Sequence, residues 1–247
     1  MTTLPLSVLA QHAAPAMSSR YVHVNSHEVV QLMEAEGFYV AAAKTSAPRS
    51  RDPMFARHSI EFRQVEAREI AGATPRVIFV NSHDGTTAAT AMAGLYRFVC
   101  SNGLVVGQTM ETVKQRHSGD AAYELINRMR SLAKNTEGLF GKIDEWSRKD
   151  LSAPQRAQFA RFAAQLRWGD AGMFEPEELL RVRRDEDDRG DLWTTFNRIQ
   201  ENTVRGGLIG LSRSGRQATS RPLTDIQRDL AYNGQLWRLA DEVAETW

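Results

Sequence analysis

The tetrapeptide Val-Asn-Ser-His occurs twice, at residues 24–27 and 80–83, running on into Glu28 in the first copy and into Asp84-Gly85 in the second. A histidine beside a carboxylate is the pairing used by acid–base catalysts and metal sites alike. The two copies have different surroundings. Asn25 precedes the apolar-periodic run HEVVQLMEAEG and stands three positions before Glu28, the spacing of a capping box, so the first copy reads as a helix start. That cap leaves His23 outside the helix, and its four-residue spacing from His27 need not place both on one face. The second copy closes the apolar run RVIFVNS and opens a turn, where Asn, Asp and Gly supply unusual backbone angles. His83 and Asp84 are the residues a metal-dependent nuclease would use. A metal usually needs three or four ligands, however, and no other His, Cys or carboxylate stands at a recognised spacing. Both copies are read as punctuation.

The remaining catalytic patterns are equally thin. Cys100 with His83 is the one thiol–imidazole pair to consider, and FVCSNG reads as core leading into a turn. The glycines of GGLIGLSRSG match neither a phosphate-binding loop nor a dinucleotide fingerprint. DEDDRGD reads as a solvated charge run. No catalytic residue, metal or cofactor is assigned.

Arginine carries the more informative signal. RGGLIGLSRSGRQATSR, residues 205–221, holds Arg205, Arg213, Arg216 and Arg221 and no acid, set among small residues that let a backbone approach phosphates closely. The planar guanidinium fork matches phosphate oxygens. Two further basic groups stand at Lys44, Arg49, Arg51, Arg57 and Arg63, and at Arg97, Lys114, Arg116 and His117. Tyr39, Phe55 and Tyr96 lie near them as candidate stacking platforms. Phosphate contact is assigned to Arg57, Arg97, Lys114, Arg116, Arg205, Arg213, Arg216 and Arg221. A net charge of +1 excludes a uniformly basic surface, but the charges are segregated: residues 175–191 carry eight acids against four arginines.

These residues need a scaffold, and the hydrophobic pattern supplies one. Residues 20–118 are rich in strand-like runs: GFYVAAAKTSA, then HSIEFRQVEAREI, which alternates Ile60, Phe62 and Val65 with polar neighbours, then RVIFVNS with GTTAATAMA as its return partner. GLYRFVCSNGLVVG is expected to form a short helix over Leu95, Phe98 and Val99 before a strand. From residue 119 the period becomes helical. Leu125, Met129, Leu132, Phe140 and Ile143 recur at helical spacing. SAPQRAQFARFAAQLRW is expected to bury Phe159, Phe162 and Leu166. DLWTTFNRIQENTV is capped by Asp191 and places Leu192, Phe196 and Ile199 on one face. A last helix from about Asp225 aligns Ile226, Leu230, Trp237, Ala240 and Val243. The expected fold class is α+β: a small antiparallel sheet packed by a helix, followed by a C-terminal helical portion, in a single domain over residues 20–247. Residues 1–19 lack the charged start and apolar run of a secretory signal and read as a loosely ordered lead-in. No window approaches eighteen apolar residues, and one cysteine excludes an internal disulfide and a cysteine-built zinc site, so a cytoplasmic protein without a membrane partner is expected.

The segments VIFVNSHDGTTAATAMAGLYRFVCSNGLVVG, VKQRHSGDA, DLWTTFNRIQENTVRGGL and RPLTDIQRDLAYNGQLWRLADE resemble the domain of unknown function 932 family, phage- and plasmid-related proteins of bacterial mobile elements. The likeness runs from about Arg20 to Ala244. Its sheet-then-helix order looks like that of single-strand annealing proteins. The resemblance therefore implies a non-enzymatic protein binding single-stranded DNA in recombination or annealing, assembled as a homo-oligomer. The exposed ends of the sheet and the final helix, with Trp237 and Trp247, are the expected subunit contacts. Two alternatives stay open: an inhibitor that engages a host defence complex through the acidic residues 175–191, and the nuclease of His83 and Asp84.

Overall fold

The computed structural model describes residues 2–19, 21–46, 52–65, 73–97, 124, 127, 129, 131, 137–169, 174–212 and 214–247, with the side chains of 93–97 and 137–139 excepted. Where the sequence reads as one domain, contacts divide these residues into two compact units. The first holds the described residues through Tyr96 together with those from Glu124 to Glu137, and the second holds Arg97 and Gly138–Trp247.

The first unit is a four-stranded antiparallel sheet with a helix against it. Strands β1 (Phe38–Ser46), β2 (Arg57–Gln64), β3 (Ala73–Asn81) and β4 (Thr90–Arg97) lie in the order of the chain. Two helices precede them, α1 (Leu6–Leu9) and α2 (Ser26–Ala35). Asn25 caps α2, its Oδ1 accepting from the backbone N–H of His27 at 3.0 Å and of Glu28 at 3.2 Å. Gly37, at φ +82°, then turns the chain into β1. Val29, Val30 and Met33 of α2 pack on Ile60, Phe62, Val77 and Phe79 of the sheet, and Met129 joins them. The residues read as a loose lead-in contribute too: α1 buries Ser7 and Val8, and Val8 belongs to this core. Val65 does not. It lies one residue past β2, 69% exposed, because the alternation of the strand puts it on the face opposite Ile60 and Phe62. The expected helix over Leu95–Val99 is also not found in its described part. Gly94–Arg97 continue β4 instead, since pairing beside β3 satisfies the backbone that an isolated turn of helix would leave half-bonded. Phe98, Val99 and Cys100 lie outside the described residues.

A buried polar network joins the two tetrapeptides. Asn81, the last residue of β3, donates from Nδ2 to Val24 O and to Ser26 Oγ, both at 3.0 Å. Ser26 Oγ in turn donates to His58 Nε2 at 2.7 Å, and His58 Nδ1 donates to Ala56 O at 3.1 Å. His83 Nε2 donates to Ser7 O at 2.8 Å, and its ring lies 4.5 Å from that of His23 and 5.2 Å from that of His58. Ser7, Ser26, His58, Asn81 and His83 are all fully buried. The His58 tautomer that donates to a carbonyl at Nδ1 leaves Nε2 as an acceptor, so the network holds that imidazole neutral. On the same sheet Arg63 and Arg76 stand opposite each other, bridged by Glu61 at 2.8 and 2.6 Å. Burial alone would raise the Glu61 carboxyl, but the two arginines outweigh it and hold it below its usual value.

The second unit is helical apart from one hairpin: α3 (Glu137–Arg148), α4 (Ala153–Trp168), α5 (Pro176–Leu179), α6 (Leu192–Arg205) and α7 (Ile226–Thr246), with β5 (Ile209–Leu211) and β6 (Gln217–Thr219) between the last two. The starts follow the sequence. Ser152 and Gln155 form a capping box on α4, Asp191 Oδ1 accepts from Thr194 N–H at 2.8 Å on α6, and Asp225 caps α7. Trp146, Trp193, Phe196 and Trp237 form one aromatic cluster, Trp146 and Trp237 with ring centroids 4.2 Å apart. Two expectations are corrected. Helix α4 buries Phe159, Ala160 and Ala163, while Phe162 and Leu166 stay more than a third exposed, because the small alanines let the neighbouring helices approach on that side. Helix α6 is buried from Leu192 to Val204 on every side rather than along one stripe. Among the described residues no helix is long and apolar enough to cross a membrane.

The buried histidines make the first unit acid-sensitive. Desolvation lowers His58 from 6.5 to about 4, and desolvation with the nearby His58 and His23 charges lowers His83 to about 3. The fold keeps both neutral while the unfolded chain protonates them. Stability is therefore full above pH 6.5 and falls below it by about 1.4 kcal/mol per pH unit for each histidine, until the folded values are reached. Denaturant unfolding followed from about pH 7 to pH 4 should show this slope, reduced by roughly half in His58→Gln. A flat profile would contradict the neutral, buried arrangement.

Candidate nucleic-acid interface

The arginine-bearing segment of residues 205–221 is built around a β-hairpin. Helix α6 ends at Arg205, and Gly206 and Gly207 follow at φ +71° and +76°. Gly207 N–H donates to Ser220 O at 2.9 Å, Leu208 N–H to Ser220 Oγ at 3.0 Å, and Ser220 N–H to Leu208 O at 2.9 Å, so the root is closed by three bonds around one serine. Leu223 N–H donates to Val204 O and fixes the exit against the end of α6. The tip is tied by Ser212, whose N–H donates to Arg216 O at 2.7 Å and whose Oγ accepts from Arg216 N–H at 3.2 Å. Small residues chosen for close approach thus serve hairpin closure instead.

Register decides what the hairpin displays. Ile209 pairs with Thr219 and Leu211 with Gln217, so these four share a face, with Gly210 and Ala218 on the other. All four are exposed, Ile209 at 53% and Leu211 at 57%. Arg216 at the tip and Arg221 beyond the root are exposed, and neither makes an ion pair among the described residues. The surface therefore offers two cations flanking an aliphatic strip. The strip is the part that the sequence reading passes over. Its signal was the alternation of LIGL beside the Ser/Gly turn, masked by the surrounding glycines.

The other assigned cations do not all join this face. Arg205 donates from Nη1 to Glu201 Oε1 at 2.7 Å, and the same buried carboxylate holds Arg184 at 2.5 Å. It is thereby drawn inward. Arg57, at the start of β2 in the first unit, is half-buried and donates from Nε to Thr87 Oγ1 at 2.7 Å. Arg97 ends β4, with its side chain outside the described residues, and Lys114, Arg116 and Arg213 lie outside them altogether. Of the three aromatics, Tyr39 is exposed and Phe55 is core, while the Tyr96 side chain is not among those described. Trp237 is fully buried in the aromatic cluster and cannot be a subunit contact; Trp247 is 37% exposed.

The competing readings meet specific obstacles. His83 is enclosed, with Nε2 engaged by Ser7 O, and Asp84 accepts from Thr86 N–H at 3.1 Å within its own turn, so the two do not form an open catalytic pair. Among the described residues no group of three or more His, Cys, Asp or Glu could hold a metal ion. The acidic segment is not wholly solvated. Asp187 and Asp191 are buried, the first paired with Arg184 at 2.6 Å and the second with Arg189 at 3.2 Å, and Glu178 accepts from Ile209 N–H at 3.1 Å. Internal arginines thus neutralise part of the patch an acidic docking surface would need.

A family model described as Domain of unknown function (DUF932) matches residues 15–237. UPF0380 protein YfjQ of Escherichia coli (strain K12) is 30% identical over 245 residues, spanning 95% of this chain and 86% of the relative. UPF0380 protein YafZ of the same organism is 31% identical over the same length and the same shares. No solved structure matches.

The hairpin's placement depends on one glycine. A Cβ on Gly206 would meet Arg221 C and Pro222 N at 2.7 Å and Ser220 O at 2.8 Å, all backbone, in a left-handed conformation; one on Gly207 would meet nothing within 4 Å. Gly206→Ala should cost about 3 kcal/mol in denaturant unfolding and Gly207→Ala only about 1. Equal losses would show that the close root is not what positions the hairpin.

Proposed function

We propose that this chain, which belongs to the DUF932 family, is a non-enzymatic DNA-binding protein that engages single strands in recombination or annealing of phage or plasmid DNA in the bacterial cytoplasm. The observation that supports this reading is the β5–β6 hairpin, whose exposed Arg216 and Arg221 stand beside an exposed Ile209–Leu211 strip. Guanidinium groups that no internal carboxylate occupies are available to phosphate oxygens. Aliphatic side chains beside them offer unpaired bases an apolar surface, which a duplex, with its bases stacked inside, would use less. Contact of this kind is sequence-tolerant and salt-dependent. Arg216 and Arg221 carry the binding in this reading. Arg205 acts through Glu201 to hold the hairpin root, and Arg57 lies in the other unit. A homo-oligomer would present several such hairpins to one strand, and the multiplied contacts would raise affinity without any new interface to DNA.

Fluorescence anisotropy with labelled single-stranded and duplex oligonucleotides, titrated with salt, tests the reading. Single strands should bind more tightly, and the plot of log affinity against log salt should be steep. Arg216→Ala with Arg221→Ala should weaken binding about tenfold and reduce the salt slope by about 1.4, two phosphate contacts at roughly 0.7 each. An unchanged slope removes the hairpin from the interface. No binding by the unaltered protein, with capture of a host protein that depends on Glu175, Glu177 and Asp188, would favour the inhibitor reading instead.

A further inference from the structure

The last turn of α4 and the first turns of α7 enclose a cavity of about 280 Å³. Arg228, Tyr232 and Gln235 of α7 face it at helical spacing, opposite Leu166 and Arg167 of α4, with Leu223 closing one side. The wall carries two guanidinium groups and no carboxylate. Arg167 Nε is buried without a hydrogen-bond partner, and its guanidinium sits 5.5 Å above the Trp168 ring. Tyr232 is 4% exposed, and its hydroxyl is buried beside the Thr203 side chain of α6. The Arg167 Nε–H is thus oriented by packing and left unused, and an orphaned buried donor is costly.

The electrostatics agree with the geometry. Arg167 is shifted downward by desolvation first, and Arg228 adds repulsion, while Tyr232 and Asp229 act in the opposite sense. Asp229 already accepts from Asn233 Nδ2 at 2.7 Å. Burial pushes the Tyr232 hydroxyl well above its ordinary value, so it remains a proton donor at neutral pH. An oxyanion in the cavity would relieve the repulsion between the two arginines and give Arg167 Nε an acceptor.

We propose that this cavity is a binding site for a phosphate monoester. Two guanidinium forks, a phenol O–H and the Gln235 amide supply enough donors for the three terminal oxygens of a dianion, where a carboxylate has only two. Leu166 and Leu223 form the apolar side, suited to the body that carries the phosphate. The site stands apart from the hairpin and does not depend on its contact with DNA. The phosphate can belong to a free mononucleotide or to the 5′ end of a strand.

Calorimetry on the full chain with AMP, inorganic phosphate, and a short oligonucleotide with and without a 5′-phosphate tests the site. AMP and inorganic phosphate should bind, with AMP binding weakened about tenfold or more by Arg228→Ala and several-fold by Tyr232→Phe. Arg216→Ala should leave AMP binding unchanged. Arg228 is exposed and Tyr232→Phe keeps the ring, so both variants should retain the native circular dichroism. A preference for the 5′-phosphorylated oligonucleotide that Arg228→Ala abolishes assigns the site to strand ends. Arg228-dependent AMP binding without that preference assigns it to a free nucleotide. If no phosphate probe binds, or if both variants bind AMP as the unaltered protein does, the proposal is wrong.

Discussion

A mostly polar helix is buried along its whole length in the second unit, and that constraint organises everything around it. An unpaired polar group in such a place costs about 1–3 kcal/mol, and the neighbours of α6 supply hydrogen bonds as well as shape to several of its residues. Gln200 donates to Asn233 of α7. Asn202 takes the carbonyls of Leu179 and Arg181, and accepts from Arg183. Glu201 gathers Arg184 and Arg205 on one oxygen. Each bond fixes a different strand of chain against the helix. Together they set the height at which α6 ends, the direction in which the hairpin leaves it, and the side from which α7 returns.

The same internal accounting of charge decides which cations reach the surface. Several carboxylates within the fold have drawn an arginine to them, as Glu61 does on the sheet and Asp187 and Glu201 do beside α6. A linear sequence shows arginines and acids in separate runs, and the fold brings several of them together. Among the described residues, Arg216 and Arg221 at the hairpin and Arg167 and Arg228 in the wall of the cavity between α4 and α7 make no such ion pair.

Local grammar was legible and long-range pairing was not. Asn25 and Asp191 are legible as caps because a cap is written within four residues. The strands up to β3 and the α+β order followed from apolar period alone. The continuation of β4 through Arg97 is not legible because Leu95 fits a helical face in isolation and becomes a strand only as the pairing with β3 is extended. The all-round burial of α6 was hidden by its polar residues, whose partners come from α7 and from the segment after α5. The hairpin was hidden by its glycines, which signal a loop until the bonds to Ser220 are known. The cavity has no signature at all in one dimension, since Arg167 and Arg228 are brought together only by packing.

The doubled tetrapeptide has a consequence for how the sheet assembles. Successive residues of a strand point to opposite faces, so sliding β3 by a single position would swing Asn81 away from α2. Its bonds to Val24 O and Ser26 Oγ would break together, leaving the buried Val24 carbonyl of the first copy without its asparagine donor. Apolar side chains tolerate such a slip far better than this asparagine does, since one oily residue can replace another. The paired copies thus work as a registration pin, rejecting misaligned sheets that hydrophobic collapse alone would accept.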